Sequence, residues 1–247
     1  MKTILITGAS RGIGRETALL CGQRGWSVGI NYVGNDQAAA DTAQKVRQAG
    51  GRAITVKGDV AMEADVIAMF DRTERELGRL TGVVINAGIV APALALADMS
   101  VERLRRVFEV NVLGAYLCAR ESARRLARDR GGEGGSVVLL SSAAARLGAP
   151  FEYTDYAGSK GALDTLTIGL AKELGLQGVR VNAVRPGLIE TDIHASGGQP
   201  DRARRLGETT PMGRPGHASE VAEAILWLLS DAASYTTGAI LDVAGGR

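Results

Sequence analysis

The sequence predicts a single α/β domain over residues 1–247, built on a doubly wound, seven-stranded parallel sheet with helices on both faces. Two observations predict this fold. Seven short apolar segments alternate with longer helical patterns, and most of these segments are continuously hydrophobic, as strands covered on both faces are. A third supports a single domain, since no linker, internal repeat or low-complexity tract divides the chain. In such sheets, ligands bind beyond the carboxyl ends of the strands.

The predicted elements follow one another in a regular order. The first strand is Thr3-Ile4-Leu5-Ile6-Thr7, a β-branched apolar run that is too short for a helix. Six more strands are predicted at Ser27–Tyr32, Ala53–Val56, Gly82–Asn86, Ser136–Ser141, Val179–Val184 and Ala239–Val243. Between them the apolar spacing predicts helices at Arg15–Arg24, Asp36–Ala49, Glu63–Leu77, Val101–Arg128, Tyr156–Leu174 and Glu220–Leu229.

Composition and charge exclude several classes of function. Hydrophobic residues make up 45% of the chain and charged residues 23%, and the net charge of +2 gives no reason to expect nucleic acid or membrane as a partner. The apolar run after Lys2 is too short for a signal sequence and no segment reaches membrane-spanning length, so we expect a cytoplasmic protein. Cys21 and Cys118 lie in apolar helical patterns, which favours buried thiols and predicts no metal site.

A glycine-rich turn follows the first strand and precedes the first helix. It reads Gly8-Ala9-Ser10-Arg11-Gly12-Ile13-Gly14, with GxxxGxG spacing in place of the more general GxGxxG. Glycines allow the backbone to approach a pyrophosphate, which then sits at the helix N-terminus. A turn without a ligand is the alternative, but the order strand, glycine turn, helix favours a nucleotide site.

Tyr156 and Lys160 share one face of a predicted helix because they are four residues apart. An ammonium group ~4 Å from a phenol, at an effective dielectric constant of ~20, favours the phenolate by roughly 4 kcal/mol. Burial of the phenol opposes part of that effect. The pair therefore predicts a tyrosine whose pKa is lowered toward the range in which general acid–base catalysis is efficient.

Further short motifs occur in a fixed order along the chain. With the two above, the series is Thr7–Gly14, Asn86-Ala87-Gly88, Asn111, Ser142, Tyr156 with Lys160, and Pro186-Gly187. Together these motifs resemble the short-chain dehydrogenase/reductase family from Thr3 to about Gly246, although this chain has Ile85 where the family pattern often reads Asn-Asn-Ala-Gly. The resemblance implies a Rossmann fold and reversible hydride transfer between a nicotinamide cofactor and a carbonyl or secondary alcohol.

Carried over by position, the resemblance implies four catalytic residues: Asn111, Ser142, Tyr156 and Lys160. Considered alone, Asn111 is a satisfied core group, and Ser141 competes with Ser142 because alternation along a strand turns one of them away from the site. Tyr153, which lacks a lysine four residues later, is expected to line the substrate pocket. The implied cofactor-binding residues are Gly8, Ser10, Arg11, Gly12, Ile13, Gly14, Asn31, Tyr32, Asp59, Val60, Asn86, Ala87, Gly88, Tyr156, Lys160, Pro186, Gly187, Ile189 and Thr191.

NADP(H) is favoured over NAD(H) by the end of the second strand. Asn31-Tyr32 carries no carboxylate to bond a ribose 2′-hydroxyl, and Arg11 could neutralise a 2′-phosphate. A return of Asp36 toward the ribose, or a merely solvated Arg11, would remove that preference. Asp59 is expected to contact adenine by resemblance, with a turn-stabilising role as its alternative.

The sequence indicates less about the substrate than about the cofactor or the reaction. Glycines and prolines between residues 188 and 216 predict a mobile lid, with His194 in an exposed loop, His217 near the next helix, and Arg202, Arg204 and Arg205 on a solvated face. A 3-oxoacyl thioester or other small ketone is one substrate class, and a sugar or polyol is the other. The thioester interpretation would use a carrier-protein patch of Arg124, Arg125, Arg128 and Arg130.

Two alternatives concern the whole molecule. A non-catalytic NADP-binding regulatory module on the same fold would need the cofactor cleft but not Tyr156. A ligand-free structural oligomer would leave the glycine turn unexplained. The resemblance also implies a homotetramer, built from the long helix Val101–Arg128 and from the apolar C-terminal helix and last strand.

Overall fold

Seven parallel strands form the central sheet of the computed structural model, which describes residues 2–247. The strand order is β3-β2-β1-β4-β5-β6-β9. Strands β2 and β3 are added on one side of β1 and the later strands on the other side, so the topological switch point lies between β1 and β4. Two short strands, β7 and β8, pair in parallel outside this sheet. The strands are β1 Thr3–Ile6, β2 Ser27–Tyr32, β3 Arg52–Lys57, β4 Gly82–Ile85, β5 Gly135–Leu140, β6 Val179–Pro186, β7 Ile189–Glu190, β8 Gly216–His217 and β9 Ile240–Val243.

Helices cover both faces of the sheet because consecutive side chains of each strand point to opposite sides. Leu5 packs in one core cluster with residues of α3, α5 and α7, whereas Ile4 and Ile6 pack in a second cluster with residues of α1, α2 and α10. The helices are α1 Gly12–Gln23, α2 Asp36–Gln48, α3 Glu63–Leu77, α4 Val101–Phe108, α5 Gly114–Leu126, α6 Ala144–Leu147, α7 Thr154–Leu174, α8 Ile193–Ser196, α9 Arg202–Gly207 and α10 Ala218–Leu229.

This architecture confirms the predicted fold class, and all seven predicted strands lie within two residues of the observed bounds. The predicted helix Val101–Arg128 is wrong as a single α-helix. A π-helical turn over Glu109–Leu113 separates α4 from α5, and α5 ends at Leu126. The segment predicted as a lid also contains regular structure, namely β7, α8, α9 and β8.

The interior is apolar on both sides of the sheet, and the two cysteines belong to it. Cys21 and Cys118 are fully buried and free, and burial raises the pKa of each thiol to about 12. They therefore act as small core residues, as predicted. Within residues 2–247, no helix combines the length and the apolar character needed to cross a membrane.

Candidate active site

A cleft of about 1180 Å³ lies beyond the carboxyl ends of the central strands. The segments that follow β1, β2, β4, β5 and β6 all contribute to its wall, as the doubly wound topology requires. Every residue predicted for the site lines this cleft except Gly14 and Asn111, which lie behind its wall. The structure therefore brings together nearly all of the positions that the motifs single out.

The glycine loop is fixed by hydrogen bonds to the segment after β4. Thr7 Oγ1 accepts the backbone N–H groups of Asn86 and Ala87, both at 2.9 Å. Asn86 Nδ2 donates to the carbonyl oxygens of Thr7 at 2.8 Å and Gly8 at 3.0 Å. A Cβ on Gly14 would lie 2.6 Å from Asn86 Nδ2 and 2.7 Å from Gly8 O, so that glycine is required by packing.

The first turn of α1 presents free backbone donors to the cleft. Gly12 and Ile13 line it, and Arg11, at the N-cap position, makes no side-chain capping hydrogen bond. Such a helix start attracts anions through its unpaired N–H groups. Arg15 also lines the cleft, and its buried Nε has no hydrogen-bond partner among residues 2–247. These groups fit the pyrophosphate and phosphate oxygens of a dinucleotide.

The side chains at the end of β2 are hydrogen-bonded within the protein. Asn31 is buried, with its Oδ1 accepting from Gly8 N and its Nδ2 donating to the carbonyls of Val56 and Gly58. Its side chain therefore positions the glycine loop, and because Asn31 and Tyr32 both line the cleft, their cofactor role stays a prediction. Tyr32 Oη donates to Asp36 Oδ1 at 2.5 Å, and this hydrogen bond raises the pKa of Tyr32 and lowers that of Asp36.

Asp59 performs the turn-stabilising role that was the alternative prediction. Its Oδ1 accepts from Ala61 N at 3.0 Å, and its Oδ2 pairs with Arg106 at 3.1 Å. Asp59 and Val60 both line the cleft, so the turn role does not remove them from the nucleotide side of the site. The adenine contact stays a prediction.

Tyr156, Lys160 and Ser142 meet at the centre of the cleft. Lys160 is buried, lies 5.6 Å from the Tyr156 ring centroid, and donates through Nζ to the carbonyl of Leu140 at 2.6 Å. Burial lowers the pKa of Lys160 to about 8, and the charge of Asp164 acts against that shift. The lysine ammonium is thus held with few partners near the phenol.

The pKa of Tyr156 moves in the opposite direction from the prediction. Burial is the largest influence and raises it, while a hydrogen bond from Ser142 acts to lower it. Desolvation is therefore the dominant influence on the pKa of the phenol, and Lys160 Nζ is hydrogen-bonded to Leu140 O. A raised pKa keeps the Tyr156 hydroxyl protonated at neutral pH, so it can donate a proton.

The competition between the two adjacent serines is resolved by the direction of their side chains. Ser141 is buried and donates from Oγ to the carbonyl of Lys160 at 3.1 Å. Ser142 follows β5 at the cleft, where its Oγ accepts from Ala144 N at 3.1 Å and bonds to Tyr156. Of the two serines, Ser142 is therefore the one that is hydrogen-bonded to the phenol.

Asn111 lies in the π-helical turn, and its side chain is fully used inside the protein. Its Oδ1 accepts from Ile89 N at 2.8 Å, while its Nδ2 donates to Ile89 O at 2.9 Å and to Ser159 Oγ at 3.1 Å. This is the satisfied core group of the alternative prediction. π-turns often occur near functional sites, and this one connects the helix to the segment after Gly88.

The segment after β6 closes the other wall of the cleft. A Cβ on Gly187 would lie 2.7 Å from Ala244 Cα, so the backbone packs closely behind Pro186. Thr191 lies over the glycine loop, with its Cβ and Cγ2 3.6 Å from where a Cβ of Gly12 would be. Pro186, Gly187, Ile189 and Thr191 all line the cleft.

The predicted lid is attached to the segment before α7, and two of its residues were predicted wrongly. Arg202 is buried instead of solvated, pairing with Glu152 at 2.5 Å and stacking over the Tyr153 ring at 5.2 Å. His194 is half-buried in the cleft wall, where Nε2 hydrogen-bonds with Ile189 O and burial lowers its pKa. His217 begins α10, as expected.

The arginines proposed as a carrier-protein patch are partly neutralised. Arg125 pairs with Asp71 at 2.7 Å and Glu74 at 2.8 Å, and Arg124 pairs with Glu121 at 2.8 Å. Two of the four positive charges therefore have acidic partners within the same chain. Their net attraction for an acidic partner protein is correspondingly weakened.

Sequence reasoning missed three groups that shape the site. Thr7 locks the glycine loop, Arg15 places an unpartnered Nε at the cleft, and Glu152 pairs with Arg202 across the pocket. Thr7 belongs to the motif Thr7–Gly14, so its role in the loop could have been predicted from the sequence. The other contacts depend on packing between segments distant in the chain, which the sequence alone does not indicate.

Comparison with known proteins gives consistent matches over the whole chain. The family model described as enoyl-(acyl carrier protein) reductase matches residues 8–247. An uncharacterized oxidoreductase of Escherichia coli (strain K12), YgfF, is 50% identical over 100% of both chains. The L-rhamnose 1-dehydrogenase (NAD(P)(+)) of Sphingomonas sp. (strain SKA58) is 39% identical, covering 99% of this chain and 95% of that one. The crystal structure of levodione reductase superposes with a TM-score of 0.92 at 29% identity, covering 99% and 96% of the two chains.

Proposed function

The chain belongs to the short-chain dehydrogenase/reductase family and is an oxidoreductase acting on CH–OH or C=O groups, and we propose that it transfers hydride reversibly between NADP(H) and a small cyclic ketone or sugar-like alcohol. One observation carries the proposal: Ser142, Tyr156 and Lys160 converge in a cleft whose opposite wall is an uncapped glycine loop. A binding module would need only the second of these features.

The three residues divide the work at the substrate oxygen. Ser142 Oγ hydrogen-bonds the oxygen and stabilises the negative charge that develops there. Tyr156 Oη gives its proton to that oxygen in reduction and takes one in oxidation. Lys160, buried beside the Tyr156 ring, supplies the positive charge that favours the phenolate when the proton leaves. A bound nicotinamide supplies the hydride itself.

The preference for NADP(H) rests on the charges around the nucleotide end of the cleft. Arg11 is exposed there and Arg15 carries an unpartnered Nε, so both guanidinium groups are available to a 2′-phosphate. The nearest carboxylate after β2, Asp36, is bonded to Tyr32 and pairs with Lys57 at 3.4 Å. No free carboxylate follows β2 to select the 2′-hydroxyl of NAD.

Within the proposed class, a sugar or cyclic alcohol is favoured over a 3-oxoacyl thioester. Arg124 and Arg125 are paired with acidic residues of the same chain, which weakens the basic patch that a carrier protein would use. One similar protein is named as an L-rhamnose dehydrogenase and one similar structure as a levodione reductase. The thioester class remains the second candidate because of the description of the matching family model.

We also propose a homotetramer, as the family resemblance implies. Phe108, Leu113 and Tyr116 are between 43% and 50% exposed along the α4–α5 region, and Trp227 on α10 is 42% exposed. Apolar side chains exposed on neighbouring turns are typical of surfaces that another subunit covers. Light scattering coupled to size-exclusion chromatography would measure the mass of the assembly.

The function is tested by following NADPH and NADH oxidation by the purified protein. The panel contains a cyclic diketone, a keto-sugar, an acetoacetyl thioester and an aromatic aldehyde. We expect turnover with NADPH and a cyclic or sugar substrate, and a loss of at least 10²-fold in Tyr156→Phe. The matched control is Tyr235→Phe, a fully exposed phenol outside the cleft, which is expected to retain activity. Equal activity of Tyr156→Phe and the wild type would contradict the proposal.

A further inference from the structure

We propose that the Glu152–Arg202 ion pair is a specificity site that binds a second hydroxyl group of the substrate. The site makes a ring bearing two or more oxygen functions, such as a cyclic diol or a sugar, the preferred substrate class over a simple alcohol. This inference rests on the proposed function, because it assigns the part of the substrate that lies away from the reacting carbon.

The pair lies in the wall of the cleft in a well-defined geometry. Arg202 Nη1 and Nη2 donate to the two carboxylate oxygens of Glu152 at 2.5 Å and 2.6 Å, a bidentate arrangement. The Arg202 side chain is 10% exposed and that of Glu152 is 33% exposed, and both residues line the cleft. The pair therefore forms part of the cleft wall, and Glu152 keeps the larger exposed fraction.

Neighbouring contacts hold both partners in place. The Arg202 guanidinium stacks over the Tyr153 ring at 5.2 Å, and the Tyr153 hydroxyl accepts from Gln199 Nε2 at 3.0 Å. On the other side, Leu94 N donates to the carbonyl of Glu152 at 3.0 Å. Fixed partners can discriminate between ligands because they do not rearrange to fit an incorrect one.

The loop that presents Glu152 is strained. Ala149 has φ 44° and Phe151 has φ 64°, and both are non-glycine residues in the left-handed region. Such conformations cost of order 1–3 kcal/mol each and persist where the surroundings impose them, often beside functional sites. Both strained residues lie within three positions of Glu152, in the segment that leads into α7.

Hydrogen-bond capacity identifies the ligand class. Arg202 makes three hydrogen bonds, to the two oxygens of Glu152 and to Gln199 Oε1, and a guanidinium has five N–H donors. The Glu152 oxygens retain lone pairs beside the unused donors. A hydroxyl both donates and accepts, so it can bond to both partners at once. A substrate carboxylate would be repelled by Glu152 and an ammonium group by Arg202.

The pair stays charged across the neutral pH range. The hydrogen bond from Arg202 lowers the pKa of Glu152, and the same contact raises the pKa of Arg202. The site is therefore neutral overall but strongly polar. A substrate without a second hydroxyl would bury these groups without replacing the hydrogen bonds that they make to water.

The test compares cyclohexanol with cyclohexane-1,3-diol as substrates, with NADP⁺ as oxidant. We expect the wild type to favour the diol at least 10-fold in kcat/KM. Glu152→Gln and Arg202→Lys should reduce that ratio by about 10-fold, through KM more than kcat, because each variant weakens a hydrogen bond between a charged group and the second hydroxyl. The matched control is Arg204→Lys, because Arg204 is exposed on the same helix and pairs with Asp201.

A binding measurement separates this inference from the proposed reaction. Calorimetric titration of Tyr156→Phe with each alcohol, in the presence of NADP⁺, compares their affinities without turnover. Tighter binding of the diol, lost in Glu152→Gln, would support the site even if the wild type oxidises neither alcohol. Equal affinity of the protein for the two alcohols would overturn the specificity site. Variants that change the affinity for both alcohols by the same factor would also overturn it, even if the wild type oxidises both alcohols.

Discussion

The nucleotide end and the catalytic end of the cleft treat their polar groups in opposite ways. Thr7, Asn31 and Asn86 are polar residues of the nucleotide end, and each makes several hydrogen bonds to the backbone. At the catalytic end, Lys160 is buried with a pKa lowered to about 8, and burial raises the pKa of Tyr156. At the first end these three side chains form a satisfied scaffold around the unpaired donors of α1 and Arg15, whereas the second end holds ionisable groups in a costly environment, as catalytic sites often do.

The largest expected effect comes from replacing the buried lysine. Lys160→Met should reduce turnover at least 10²-fold while raising the free energy of unfolding at pH 7 by about 1–2 kcal/mol. The gain is the relief of burying a charge, partly offset because the carbonyl of Leu140 loses its donor. Chemical denaturation and steady-state kinetics on the same variant measure both quantities.

The direction of the Lys160 pKa shift determines whether this residue raises or lowers the free energy of unfolding at a given pH. Because the folded-state pKa is about 8 and the unfolded value 10.5, the native state binds fewer protons between those two pH values. The penalty is complete below pH 8 and is relieved as the pH rises toward 10.5. A Lys160→Met variant less stable than the wild type at pH 7 would contradict this, and Lys172→Met, exposed on α7, is the control.

Replacing Thr7 tests whether the nucleotide end is a satisfied scaffold. Thr7→Val keeps the shape of the side chain but leaves the N–H groups of Asn86 and Ala87 without an acceptor. We expect a loss of about 2–4 kcal/mol in stability and at least 10-fold weaker NADPH binding, measured by fluorescence titration. Thr165→Val, exposed on α7, should change stability by less than ~0.5 kcal/mol. Unchanged stability of Thr7→Val would show that the loop does not depend on this hydroxyl.

A pair of glycine substitutions sharpens the same contrast. Gly14→Ala should destabilise the protein by about 1–3 kcal/mol, because its Cβ would meet Gly8 O at 2.7 Å. Gly169→Ala lies within α7 with no atom within 4 Å, and it should stabilise the protein by about 0.5–1 kcal/mol. Thermal denaturation of both variants gives the comparison. Two shifts of the same sign would contradict the packing described here.

The smallest expected effect is a shift in a pH profile. Activity in reduction needs a charged Lys160, so kcat/KM should fall as the pH rises through about 8. Asp164 raises the pKa of Lys160 by its charge and is held by Arg185 at 2.8 Å. Asp164→Asn should therefore shift this fall in kcat/KM to lower pH. Asp201→Asn, a highly exposed residue of the lid, should leave it unmoved, and a shift of the Asp164→Asn profile to higher pH would be inconsistent with the charge interaction.

The fold and the nucleotide end were predictable from sequence because their signals are local. The strand–glycine turn–helix order is a property of neighbouring residues, and it placed Gly8 and Gly12 correctly at the cleft. Ser142 was chosen by the family resemblance, because strand alternation predicted only that one of the two adjacent serines turns away, not which one. Local sequence patterns were therefore sufficient to predict the strands and the glycine loop.

The remainder depended on contacts between distant segments. The π-turn at Glu109–Leu113 interrupts a pattern that reads as one continuous helix, so no short-range signal marks it. Arg202 reads as one of several lid arginines until Glu152, fifty residues earlier, is brought beside it. The pKa of Tyr156 was predicted in the wrong direction, because its desolvation depends on the complete fold around it.

The central claim is hydride transfer at the Ser142–Tyr156–Lys160 end of the cleft, and isotope transfer tests it most directly. The measurement uses NADPH carrying two deuterons at the nicotinamide C4 and the best ketone of the panel, with mass spectrometry and NMR of the product. The account predicts one deuteron on the carbinol carbon, and a loss of labelled product in Tyr156→Phe. Reduced product without deuterium, or equal labelling in the variant, would contradict it.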